Sequence, residues 1–233
     1  MSTVSPPDRT SSKKPRSRRR SVLEPSIATV ADLLKSLGEI PAERVRWHPL
    51  PGTATERDLL RTNELKEGAI CELVDGTLVE KPMGANESEI SCMIIYHILA
   101  FVLNRKLGIV LGEAGMLRLK PGLVRVPDVS FISWDRFPDR KRSDDPIPAL
   151  APDLAVEVLS KSNTKAEIER KLNEYFEAGT RLAWIVDPKK KTVRVYTSAA
   201  TFTTLSGAEA LDGGDVLPGF RLPLTDFFEF EEG

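Results

Sequence analysis

Residues 154–159 read Leu154-Ala155-Val156-Glu157-Val158-Leu159, an apolar run interrupted by one carboxylate. The run's length and aliphatic content suit a strand buried on both faces, as in the parallel part of an α/β sheet. A charge in such a strand is costly unless a metal, a cation or a proton compensates it. Glu157 is therefore a candidate functional residue. Just downstream, Thr164 and Glu167 have the spacing of a capping box, which starts a helix over 165–178 that Gly179 ends. Lys171 lies on the flank of that helix's apolar stripe, formed by Ile168, Leu172 and Tyr175, and can reach back toward the preceding strand.

Upstream, 124–132 (VRVPDVSFI) repeats the anomaly with Asp128. Pro127 removes a backbone donor there, so this strand is expected to be an edge or irregular at that point. Two strand carboxylates can meet on adjacent strands and hold a hard divalent ion through oxygen. The bland alternatives are that Asp128 caps a turn and that Glu157 and Lys171 form a structural ion pair. Further upstream, Ile90, Ile94, Ile98 and Phe101 recur at helical spacing within 87–107, with Gly108 as the stop. Glu87 is in phase with that stripe, which makes it either an inward carboxylate near a metal or a cap on the helix dipole.

Asp75-Gly76, between 71–74 and 77–80, is a two-residue hairpin signal. Segments 109–111 and 116–119 read as strands, 137–152 as a Pro-rich charged loop, and 182–186 with 192–196 as a hairpin around Pro188. Turns at Asp212-Gly213-Gly214 and Pro218-Gly219 precede an amphipathic ending at Phe227 and Phe228. The order of elements predicts an α/β fold, a mixed sheet with helices packed on it.

The chain has 233 residues, 41% of them hydrophobic, enough for one sizeable core with accessory segments. Three regions are expected: a disordered basic tail over 1–24, a short helical lead-in and connector over 25–63, and the compact domain over 64–233. The lead-in carries one helix, over 27–37, followed by a Pro-rich connector. The net charge of −1 hides an asymmetry, because residues 1–25 hold seven basic residues against Asp8 and Glu24. That leaves a body of net −6 behind a tail of net +5. The tail suits either contact with nucleic acid or simple solvation. No apolar run approaches the ~20 residues of a membrane span, and no signal-type h-region follows Met1, so a soluble cytoplasmic protein is expected. Cys71 and Cys92 have no ligand-type pairing and are expected to be reduced. His48 and His97 lack a Ser or Cys partner motif, which argues against a serine or cysteine hydrolase.

From Cys71 onward, CELVDGTLVEKP, VRVPDVSFI, APDLAVEVLS and KLNEYFEAGTRLAWIVDP follow one another in an order and spacing that resemble the Uma-two family. Members are described as restriction-type endonucleases of the PD-(D/E)XK superfamily. The resemblance implies a restriction-endonuclease-like core, a mixed central β-sheet flanked by helices with a divalent ion on one side. Pro127-Asp128 matches the PD element and Glu157 the second acid. The superfamily's lysine two residues later is missing, since Leu159 stands there, and Lys171 on the next helix takes the matching place. Glu87 stands where many relatives carry a histidine. The resemblance thus implies a Mg²⁺- or Mn²⁺-dependent DNA endonuclease. Asp128, Glu157 and the Val158 carbonyl would hold the ion, Lys171 would position the attacking water, and Glu87 would assist. DNA, met in part by the tail, and a second copy of the chain are the expected partners. The rival reading is a non-catalytic nuclease-fold protein that binds nucleic acid or assembles with others, which the acidic body and the missing lysine favour.

Overall fold

The computed structural model describes Met1 and residues 27–65, 70–82 and 84–229, so the basic tail falls outside the described residues apart from Met1. Strand 154–158 forms as expected and every one of its residues is buried. It is the β7 strand (Leu154–Val158) of a six-stranded sheet. Its neighbours are β6 (Val129–Ser133) and β8 (Leu182–Asp187), followed outward by β3 (Gly108–Leu111) on one side and by β9 (Thr192–Tyr196) and β10 (Phe202–Ser206) on the other. The β7–β8 pair is parallel and the remaining pairs are antiparallel, which makes the sheet mixed. A parallel pair needs a crossover, and helix α4 (Lys165–Ala178) supplies it.

Period-two alternation sends Leu154, Val156 and Val158 to one face of the sheet, and Ala155, Glu157 and Leu159 to the other. The first face packs against helix α3 (Ala85–Arg105) through Ile90, Ile94, Ile98 and Val102. The C-terminal elements β11 (Ala210–Asp212), β12 (Arg221–Pro223) and α5 (Thr225–Phe228) extend the same core, with Phe220 and Phe227 buried in it. The second face packs against α4 through Ile168 and Leu172 on Ala183 and Ile185.

Helix α3 is long and apolar enough to cross a membrane by length and composition alone, contrary to the expectation that no segment would be. Here its Ile90–Val102 stripe lies in the core of an α/β domain. Gly108, expected as the stop of this helix, belongs instead to β3. A Cβ there would lie 2.1 Å from the Ile132 carbonyl oxygen, so only glycine allows β3 to approach β6 this closely.

A second, four-stranded antiparallel sheet has the order β2-β1-β5-β4, with β1 Cys71–Val74, β2 Thr77–Glu80, β4 Leu117–Lys120 and β5 Leu123–Arg125. The Asp75-Gly76 hairpin forms in the expected register, Val74 facing Thr77. The single strand expected over 124–132 does not form. Pro127 interrupts it, so β5 pairs with β1 in the small sheet while β6 pairs with β7 in the large one. The segment 126–128 bridges the two sheets.

The lead-in folds onto this small sheet. Helix α1 (Val30–Ser36), capped by Thr29 with Asp32 reciprocating, buries Leu33 and the adjoining Leu37 and Ile40 against Val74, Val79 and Leu123. The connector carries a helix that was not expected, α2 (Glu56–Leu65). Its start is held by Thr55 and Asp58, and Leu59 is buried against Cys71 and Leu73. Cys71 and Cys92 are not joined in a disulfide, and burial pushes the Cys71 thiol up to about 11.

Candidate active site

Glu157 emerges on the face of the large sheet that α4 covers, and two residues one helical turn apart meet it there. The Lys171 ammonium is 2.9 Å from Glu157 Oε2, and the Tyr175 hydroxyl donates to Oε1 at 2.5 Å. The capping box that launches α4 is only half made. The Glu167 amide donates to Thr164 Oγ1, but the Glu167 carboxylate turns to Arg44 in a two-pronged pair at 2.6 and 2.9 Å. The lead-in thereby fixes the first turn of the helix that carries Lys171.

The small sheet supplies the other wall. Glu72 on β1 is buried and accepts from the Val126 amide at 3.0 Å. It pairs with Arg125 at 2.7 Å and with Lys171 at 3.2 Å. Arg125 continues to Glu174 on α4, which also holds Arg170. Asp128 lies on the bridge between the sheets. Its amide donates to the Val156 carbonyl, and its Oδ2 accepts from the Val158 amide at 2.6 Å, so the side chain extends the ladder where Pro127 broke it. Its Oδ1 is 2.7 Å from the Lys81 ammonium, just past the end of β2.

Around the sheet seam, three acids (Glu72, Asp128, Glu157) thus face three bases (Lys81, Arg125, Lys171) almost wholly out of water, and the buried Glu174 beside Arg125 is offset by the partly exposed Arg170. The acids differ in kind. Burial raises the Glu72 carboxyl, but Lys171 and Arg125 outweigh it and hold this acid down at about 2. Burial raises Glu157 above the usual carboxylate range; Lys171 opposes that shift, and the neighbouring charges of Asp128 and Glu72 add to it. Burial also raises the Tyr175 hydroxyl, with Glu157 adding to it, so this residue stays a donor. Lys171 is held above the ordinary lysine value, because Glu157 and Glu72 overcome the opposing effect of burial.

Of the residues singled out in the sequence, Asp128, Glu157, Val158 and Lys171 come together here. Glu87 is half-buried in the first turn of α3, with its carboxylate folded back against Gly84. No hydrogen bond or ion pair among the described residues ties it to the other four. Glu72, Lys81, Arg125 and Tyr175 were not foreseen as members. Glu72 carried the same signal as Glu157, a carboxylate flanked by apolar strand residues, whereas nothing local marked Lys81.

The donor set suits a hard divalent ion of the Mg²⁺ type. It offers two carboxylates and the backbone of Val158, whose N–H, and with it the carbonyl of an extended residue, turns toward Asp128. No group of three or more His, Cys, Asp or Glu is placed to hold a metal ion among the described residues, so this is not an all-protein cage. Mg²⁺ typically takes one or two carboxylates and fills its sphere with water and substrate phosphate.

A mixed sheet whose parallel pair is joined by a helical crossover, with helices on both faces, defines an α/β fold. A crystal structure from Anabaena variabilis, described as a "putative nuclease belonging to DUF820", shares the fold with a TM-score of 0.61 at 22% identity, over 71% of this chain and 95% of that one. Residues 57–225 match the Uma2 model, described as "Putative restriction endonuclease", and the chain belongs to that family. No functionally curated protein matches the chain by sequence.

Proposed function

We propose that the chain is a cytoplasmic Mg²⁺- or Mn²⁺-dependent endonuclease that hydrolyses DNA phosphodiester bonds. The observation that carries this reading is that Asp128 accepts from the amide of Val158, next to Glu157, close enough for its charge to raise the Glu157 carboxyl, while Lys171 is bonded to Glu157. Asp128, Glu157 and the Val158 carbonyl would hold the divalent ion, which when bound supplies Lewis acidity toward the phosphate and lowers the pKa of a water. Lys171 reaches the carboxylate from the α4 side and orients the attacking water. Its charge also offsets the negative charge that builds on the phosphoryl oxygens. Tyr175 keeps Glu157 fixed by donating to its other oxygen. In the reaction, water adds to phosphorus, the ester P–O bond breaks, and the departing oxygen takes a proton. Glu87 would serve as an auxiliary acid at the start of α3, and the basic tail would add phosphate contacts. A homodimer would allow both strands to be cut.

Supercoiled plasmid incubated with MgCl₂ or MnCl₂ tests this. Wild-type protein is expected to nick or linearise it, while Asp128→Ala and Glu157→Ala fall to background. Equal cleavage by all three proteins would refute the assignment. A second reading, a binding or assembly module that has kept the fold, draws on one observation. Every oxygen of Asp128 and Glu157 already has a partner within the chain. Such a protein binds DNA without cutting it and takes up no Mn²⁺ at this seam.

A further inference from the structure

Lys81 is the least expected member of the cluster. Its backbone amide donates to the Ile70 carbonyl, which fixes the residue beside the end of the hairpin. Its side chain is 2% exposed, and the ammonium has no hydrogen-bond partner among the described residues. What holds it is charge alone, the 2.7 Å approach to Asp128 Oδ1. That oxygen is the one that matters. Asp128 Oδ2 is committed to the Val158 amide, which leaves Oδ1 as the atom Asp128 can offer an ion.

We propose that Lys81 is a tethered cation occupying the ligand oxygen of Asp128, and that it sets the chain's affinity for a divalent ion by competing for that oxygen. The inference rests on Asp128 being a metal ligand. With Lys81 in place the three acids at the seam (Glu72, Asp128, Glu157) match its three bases (Lys81, Arg125, Lys171), and Glu174, which also meets Arg125, is offset by Arg170. Removing its charge leaves the set one negative charge in excess, which a divalent cation relieves. A buried carboxylate without its cation is strongly destabilised, so the demand for a replacement is large. The ammonium, with three donors and no well-formed bond, loses little hydrogen bonding when Oδ1 is taken from it.

Calorimetric titration of the full chain with MnCl₂ tests the proposal. Lys81→Met is expected to bind Mn²⁺ about tenfold or more tightly than wild type, the size of a modest ion-pair competition. Lys81→Gln, which keeps a polar end if folding requires one, moves in the same direction. Lys81→Arg keeps the charge and stays near the wild-type affinity. Affinities for Lys81→Met and Lys81→Gln equal to or weaker than wild type overturn the proposal. Asp128→Asn in the Lys81→Met background separates the two levels. If it abolishes Mn²⁺ uptake that Lys81→Met had failed to tighten, the metal site stands and the role of Lys81 falls. If uptake is indifferent to Asp128→Asn, the metal site falls and the proposal with it.

Discussion

Replacing Glu72 by Gln removes one charge from the middle of the buried set and keeps the shape of the side chain. The Glu72 carboxyl is held at about 2 in the folded chain, against 4.5 for an ordinary glutamate, because Lys171 and Arg125 outweigh the effect of burial. A folded value below the unfolded one means the group stabilises the fold above pH 4.5 and loses that contribution as the pH falls toward 2. The difference of about 2.5 pH units, at 1.36 kcal/mol each, amounts to about 3 kcal/mol at neutral pH. At pH 3 somewhat less than half of it remains. Lys171 and Arg125 stay protonated throughout, so the cost of leaving them short of a partner in Glu72→Gln is the same at each pH. Urea unfolding of both proteins at pH 7, 5, 4 and 3 should therefore show wild type more stable by about 3 kcal/mol at pH 7. The gap should narrow by about 2 kcal/mol at pH 3. A gap that stays constant with pH would refute the claim that Glu72 is a charged member of the cluster.

Arg44→Ala cuts the pair with Glu167 and should cost about 3 kcal/mol in a denaturant titration, because it strands a buried carboxylate at the start of α4; a loss below about 1 kcal/mol would mean the lead-in does not brace that helix. Gly38→Ala places a Cβ 2.6 Å from the Glu167 Cα at a φ of +95°, and calorimetry should show a loss of at least about 2 kcal/mol. An unchanged Tm would show that the α1–α4 contact is loose. Tyr175→Phe removes one of the two partners of the Glu157 carboxylate and should cost about 1–3 kcal/mol while leaving the circular dichroism spectrum unchanged. A neutral outcome would mean that bond contributes little to the fold.

The elements legible in the sequence were those with a strong period or a specific turn. The α4 helix has its cap, its stripe and its glycine, and Asp75-Gly76 permits little but a tight hairpin. Glu157 and Asp128 were visible because a charge inside a short aliphatic run has few explanations. Lys171 was visible because the stripe fixes which flank of the helix it occupies. Helix α2 was hidden by composition. Apart from Leu59 its residues are mostly polar, and the Thr55–Asp58 cap was the one cue. The Pro127 break was legible, but its outcome was not, since the division of one apolar stretch between two sheets depends on partners distant in sequence. Lys81 and Arg125 belong to the same class. A lysine after a hairpin strand is ordinarily solvated, and only the approach of the two sheets buries it. Glu87 shows the converse, for helical phase places a residue on a face without saying where its carboxylate turns.

The bridge at 126–128 also bears on when the buried cluster comes into being. Its two walls come from the hairpin near the start of the domain and from a helix close to a hundred residues later in the chain. Contacts between segments so far apart close large loops and form late in folding. A nascent or partly unfolded chain has neither the paired carboxylates nor the lysine beside them. On the proposed reading, hydrolytic capacity arrives with the completed tertiary structure and vanishes when the seam opens, so damaged or unfinished molecules are harmless to nucleic acid. On that reading, the same long-range closure that hid half the cluster from the sequence acts as a safeguard built into the topology.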